Sequence, residues 1–211
     1  MANELPISRK QAIKATEWLI EHFRSPMEQA VVGKPYRLKH LCAIACQETA
    51  YRWVGWIDHH DPATILARCV FDASGDAPNS SRGVRPVNAA AFRADFGDEF
   101  AQLLIDEANK YRRLMNWSAR DWLYKGYGIF QYDLQYCYTD PDFFRERKWY
   151  DFGNCLAKVT GELDEKLKAQ NGDLWEAIRA YNGSGPRARA YRENVKEFTP
   201  ICAEVTGDDQ P

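Results

Sequence analysis

A chain of 211 residues with 45% hydrophobic and 13% aromatic side chains can bury one sizeable core. Its formal charge of −2 supplies no basic field, so neither nucleic acid nor an anionic membrane is an expected partner. No apolar run approaches the roughly 20 residues that cross a bilayer, and the start MANELPISRK lacks the apolar stretch of a secretory signal. A single domain over 1–211, made in the cytoplasm, is expected.

The first element falls within 1–30, where Ile7, Ala12, Ala15, Trp18, Leu19 and Phe23 recur at helical spacing after Ser8, a cap residue. A turn at VVGKPYR separates it from a second helix, LKHLCAIACQETAYRW, with Leu38, Leu41, Cys42, Ala45 and Cys46 inward and Glu48 near its C-terminal end. Asp61-Pro62 marks the start of a third helix, expected to stop near Ser74-Gly75. Residues 75–88 are rich in Gly, Pro, Ser and Asn without periodicity and read as a long loop. A long helical pattern comes next, from Asn88 to Met115, with an interruption at Gly97.

GYGIFQYDLQY breaks the helical habit and fits a tight turn entering a short buried helix or strand. Helical periodicity resumes from Phe152, and the segment DLWEAIRAYNG ends in Asn182-Gly183, a helix stop. The last helix begins at Pro186 with a break expected at Pro200, and 205–211 reads as a flexible tail. The fold class is mainly α with at most a small β element.

The six cysteines, Cys42, Cys46, Cys69, Cys137, Cys155 and Cys202, are too sparse for a disulfide-built scaffold. Cys42 and Cys46 lie four apart on one helical face and read as reduced core thiols. His59-His60-Asp61 is a tempting metal cluster, but no partner ligands stand out, so no metal and no other cofactor is expected.

Chemistry concentrates in three stretches. In AIACQETAYRW, a helix would hold Glu48 against Ala45, Tyr51 and Trp53, where desolvation favours the protonated acid. KGYGIFQYD places glycines beside Gln131, and AIRAYNGSG ends a helix on Tyr181-Asn182. In this order, Glu48-Thr49, Gly126-Tyr127-Gly128-Ile129-Phe130-Gln131 and Ala180-Tyr181-Asn182-Gly183 resemble the signature of the goose-type lysozyme and bacterial lytic transglycosylase superfamily. The resemblance spans about positions 36 to 197 and rests on short motifs; the segment from Asp58 to Met115 has no counterpart in it.

The resemblance implies a lysozyme-like helical fold and cleavage of the β-1,4 bond between N-acetylmuramic acid and N-acetylglucosamine in peptidoglycan strands, with Glu48 as general acid. It also implies substrate contacts from Thr49, Tyr127, Gln131, Tyr181 and Asn182. Glycines at Gly126 and Gly128 would let the backbone approach a sugar. Against these roles stand plainer ones: Thr49 as a capping or packing residue, Tyr181 as a core aromatic, and Asn182 as a helix cap.

A hydrolase of this type needs a second carboxylate to activate water, and a lytic transglycosylase, giving 1,6-anhydro products, does not. Asp133, two residues after Gln131, is the better candidate base. Asp121 is the weaker one and reads equally as a helix cap. Hydrolysis by a muramidase is favoured over transglycosylation. A chitinase and a catalytically silent glycan-binding module are the other readings. Arg82 and Arg85 in the long loop could touch wall carboxylates or only keep it soluble. Without a signal, action on the wall would require lysis or dedicated secretion, as for an endolysin or an antibacterial effector; no inhibitor or immunity partner is specified.

Overall fold

The computed structural model describes residues 4–208. They are mainly helical, with 64% helix, 3% strand and a small three-stranded sheet. The chain falls into two compact units: Met1–Pro62 with Leu156–Pro211, and Ala63–Cys155.

The first unit joins the two ends of the chain. Helix α1 (Arg9–Ala30) starts at a capping box in which the Ser8 side chain accepts from Gln11 N while the Gln11 carboxamide accepts from Ser8 N at 2.9 Å. It buries Ala12, Ala15, Trp18 and Leu19. Helix α2 (Leu38–Ala45) is followed by a π-helical turn, Cys46–Ala50, and by one α-turn, α3 (Tyr51–Trp53).

The closing elements of this unit come from the far end of the chain. Helix α10 (Gly185–Thr206) packs on α1, α2 and the π turn through Ala188, Tyr191, Val195, Phe198 and Cys202. It runs through Pro200, where the sequence suggests a break: the Thr199 hydroxyl bonds Val195 O at 2.8 Å, and buried Phe198 and Cys202 keep the helix docked on both sides of the proline. Positions 205 to 208 are no flexible tail either. The helix continues to Thr206, Gly207 closes it at φ 79°, and Asp208 accepts from Lys39 N at 3.0 Å. Residues 209–211 of that expected tail lie outside the described residues.

Helix α4 (Pro62–Arg68) starts as expected at Asp61-Pro62 but stops earlier than the sequence suggests. Val70 and Phe71 leave the helical register to form strand β1, because a β-branched and an aromatic residue find an antiparallel partner in β2 (Gly126–Tyr127). β2 in turn pairs with β3 (Tyr132–Asp133). Between β1 and β2 run α5 (Ala89–Phe96) and α6 (Asp98–Leu114), separated at Gly97, whose φ of 88° suits glycine. A 3-10 turn, Leu134–Tyr138, leads to α7 (Pro141–Arg145).

Helix α8 (Phe152–Ala169) belongs to the first unit from Leu156 onward. Helix α9 (Leu174–Tyr181), also in the first unit, is capped by Asp173 and closed by Asn182 and Gly183 at φ 98°. All six cysteines are buried and unbridged.

A buried carboxylate ties the second unit together. Glu107, with no exposed side chain, takes Lys110 at 2.6 Å, Arg147 at 2.8 Å, Tyr150 at 2.5 Å and Arg68 at 3.4 Å. Burial pushes its carboxyl up, but the bonds from Lys110, Tyr150 and Arg147 outweigh this and hold it below its ordinary range. Glu107→Gln should therefore destabilise this unit by about 3 kcal/mol in urea unfolding, the low end for a broken buried pair because two of its cations are more than a third exposed. A loss within experimental error would show that the network contributes nothing net.

Candidate active site

Glu48 sits in the middle of the π turn. A π turn inserts one residue relative to an α-helix and rotates the downstream residues by about 100°. Within it Thr49 is fully buried, its hydroxyl 3.5 Å from Ala45 O and accepting from Trp53 Nε1 at 2.8 Å. Its expected substrate contact is not supported, because no part of it is exposed.

As a residue Glu48 is partly exposed. Its carboxyl is nonetheless enclosed enough for burial to push its pKa up to about 7, with Tyr191 working against the rise and the charge of Glu162 adding to it. Tyr191, on α10, is buried, and its hydroxyl meets no acceptor at settled hydrogen-bond geometry. It is therefore a polar neighbour that favours the carboxylate, short of a formed bond. Burial first, then the Glu48 charge, drives the phenol well above its usual range.

Tyr181 extends the same grouping. Its ring lies 6.3 Å from that of Tyr191 at 32°, and it is partly exposed at the end of α9. Asn182 comes next as the closing residue of that helix and is exposed. Glu48, Tyr191, Tyr181 and Glu162 thus share one unit, and sequence reasoning singles out neither Tyr191 nor Glu162. Tyr191 falls at core spacing with Ala188, Val195 and Phe198, so periodicity marks it as packing only.

The second unit holds the other expected residues, and several have different work. Gln131 adopts φ 55° and its Nε2 donates to Gly128 O at 2.8 Å. A Cβ at Gly126 would lie 2.2 Å from Gln131 Oε1, and one at Gly128, where φ is 79°, 2.5 Å from Cys155 Sγ. The glycines therefore make room for the unit's own side chains, which corrects the expectation of open backbone for a sugar. Tyr127 is fully buried, edge-on to Trp149 at 4.8 Å, and its expected substrate contact fails for the same reason as that of Thr49.

Asp133 caps the 3-10 turn, its Oδ1 accepting from Gln135 N at 2.7 Å and from Arg82 Nη2 at 2.5 Å. Arg82 is thus buried and engaged within the protein, whereas Arg85 is 71% exposed and pairs with Asp95 at 3.2 Å. Asp121 caps no helix. It is 70% exposed and pairs with Arg93 at 2.9 Å, an ordinary surface ion pair. Among the described residues no group of His, Cys, Asp and Glu is arranged to hold a metal ion.

No protein-family model, no curated protein and no solved structure matches the chain.

A carboxyl group raised to about 7 on folding binds its proton more tightly in the folded state than in the unfolded one. Stability should therefore fall as pH rises from about 4.5 to 7, by roughly 3 kcal/mol for Glu48. Glu48→Gln should match the wild type at pH 4 and exceed it at pH 8 in chemical denaturation. Tyr191→Phe, lacking the group that favours the carboxylate, should move the same crossover to higher pH. Equal pH dependence in wild type and Glu48→Gln would remove the raised acid.

Proposed function

We propose that the protein is a peptidoglycan-cleaving glycosidase of muramidase type, with Glu48 as general acid. The observation that carries this reading is the position of Glu48: partly exposed on a π turn, with burial beside the Tyr191 phenol pushing its carboxyl up to about 7. An ordinary surface glutamate would be ionised at that pH and unable to donate.

Glycosidic cleavage expels an alkoxide, a poor leaving group unless protonated as the bond breaks. Glu48 gives its proton to the bridging oxygen, the C1–O bond breaks through an oxocarbenium-like state, and a water adds to C1 and loses a proton, leaving a free reducing end. The resulting carboxylate is then offset by the nearby Tyr191 hydroxyl. Tyr181, partly exposed beside Tyr191, offers a ring face to a sugar, and Asn182 offers an amide to an N-acetyl group. The sequence motifs around Glu48, Gly126 to Gln131 and Ala180 to Gly183 support peptidoglycan as substrate over chitin.

Lytic transglycosylation is the second reading, and one observation favours it. Oδ1 of Asp133, the better candidate base, is already held by Arg82 and by the Gln135 amide. In that reaction the Glu48 carboxylate takes the proton of the sugar's C6 hydroxyl, and the ring closes without water.

Digestion of purified peptidoglycan, with products read by mass spectrometry, tests both. Wild type should release muropeptides with free reducing ends and Glu48→Gln should lose turnover by about 100-fold or more while still binding wall. Anhydro products would replace hydrolysis by transglycosylation. Release from chitin alone would move the substrate, and wall binding without release from either protein would leave a glycan-binding module.

A further inference from the structure

Cys46 opens the π turn that carries Glu48, and Cys202 lies on α10, which carries Tyr191. Both are fully buried. They converge on one turn of α1: Cys202 Sγ is 3.3 Å from Thr16 Oγ1, whose hydroxyl also bonds Ala12 O at 2.8 Å, and Cys46 Sγ is 4.0 Å from that same Ala12 O. α10 packs directly on α1, α2 and the π turn. Separate elements thus bring two thiols to the same turn of α1, and all six cysteines are unbridged.

We propose that Cys46 and Cys202 form a disulfide when the chain folds in an oxidising environment, locking the Glu48 turn onto α10. The Cys202 thiolate attacks one sulfur of a small-molecule disulfide, expelling a thiolate and leaving a mixed disulfide on Cys202. Cys46, deprotonated in turn, attacks the Cys202 sulfur and expels the second thiolate. The two protein protons end on the two released thiols, and two electrons pass from protein to oxidant. With both sulfurs buried, the exchange takes place while α10 is undocked, during folding. Cys42 is the competitor, since it lies one helical turn before Cys46 and its thiol senses Cys202. The π turn favours Cys46 because Cys46 also reaches the Ala12 carbonyl that Thr16 binds.

The site stands independently of the glycosidase reading. Its test is refolding of the full chain in oxidised and reduced glutathione, alkylation, and peptide mapping without reduction. The expected product is a species lighter by two hydrogens in which the segment from His40 to Arg52 is joined to the segment from Glu197 onward. Both Cys42 and Cys46 lie in the first segment, so variants assign the bond: Cys42→Ala should keep the link, and Cys46→Ala and Cys202→Ala should each lose it. The oxidised wild type should also melt higher than the reduced one. Six alkylated thiols in refolded wild type, or a link that survives Cys46→Ala and vanishes in Cys42→Ala, would overturn the proposal.

Discussion

The contact between a widened helical turn and a buried phenol is the constraint on which the first unit's chemistry depends. A glutamate in a regular helix would keep to the 3.6-residue period that puts Cys42 and Cys46 inward. The π turn breaks that period at Cys46–Ala50 and brings Glu48 beside Tyr191 on α10. Thr49 is the internal fastener: its hydroxyl serves Ala45 O and the Trp53 indole at once. A raised acid costs stability at neutral pH, and helix packing along α10 offsets that cost. Functional sites commonly carry such local strain against a well-packed support.

The second unit is organised by neutralised charge. Lys125, with no exposed surface, reaches Asp76 Oδ2 at 2.7 Å, and Asp76 also accepts from Ala89 N at 2.8 Å. Burial pushes the Lys125 ammonium down, with the Arg82 charge adding to it, and the Asp76 carboxylate works against that. Arg82 does the same further along, joining the long loop to Asp133 at the head of the 3-10 turn. The loop is thereby fastened at both Asp76 and Arg82. Elsewhere in the unit, Tyr127 packs edge-on against Phe144 and Trp149 and leaves no open face for a ligand.

Much of this was legible in the sequence where a local rule decides the outcome. The Ser8 cap, Pro62 at a helix start, Gly97 between two helices and Asn182-Gly183 at a helix stop all occur as composition dictates. Glu48 among apolar neighbours announced a raised acid. The features that escaped depended on distant partners. Val70 and Phe71 become strand only because Gly126 and Tyr127 pair with them. The helix survives Pro200 because Phe198 and Cys202 are docked. Tyr191 looks like any core aromatic until the π turn meets it, and Gly126 looks open until Gln131 folds over it.

The central claim is that Glu48 retains its proton near neutral pH. Titration of the Glu48 carboxyl carbon by NMR in the intact protein, assigned with Glu48→Gln, tests it most directly. The account predicts a midpoint of about 7. A midpoint near 4.5, the ordinary value for a glutamate, would contradict it.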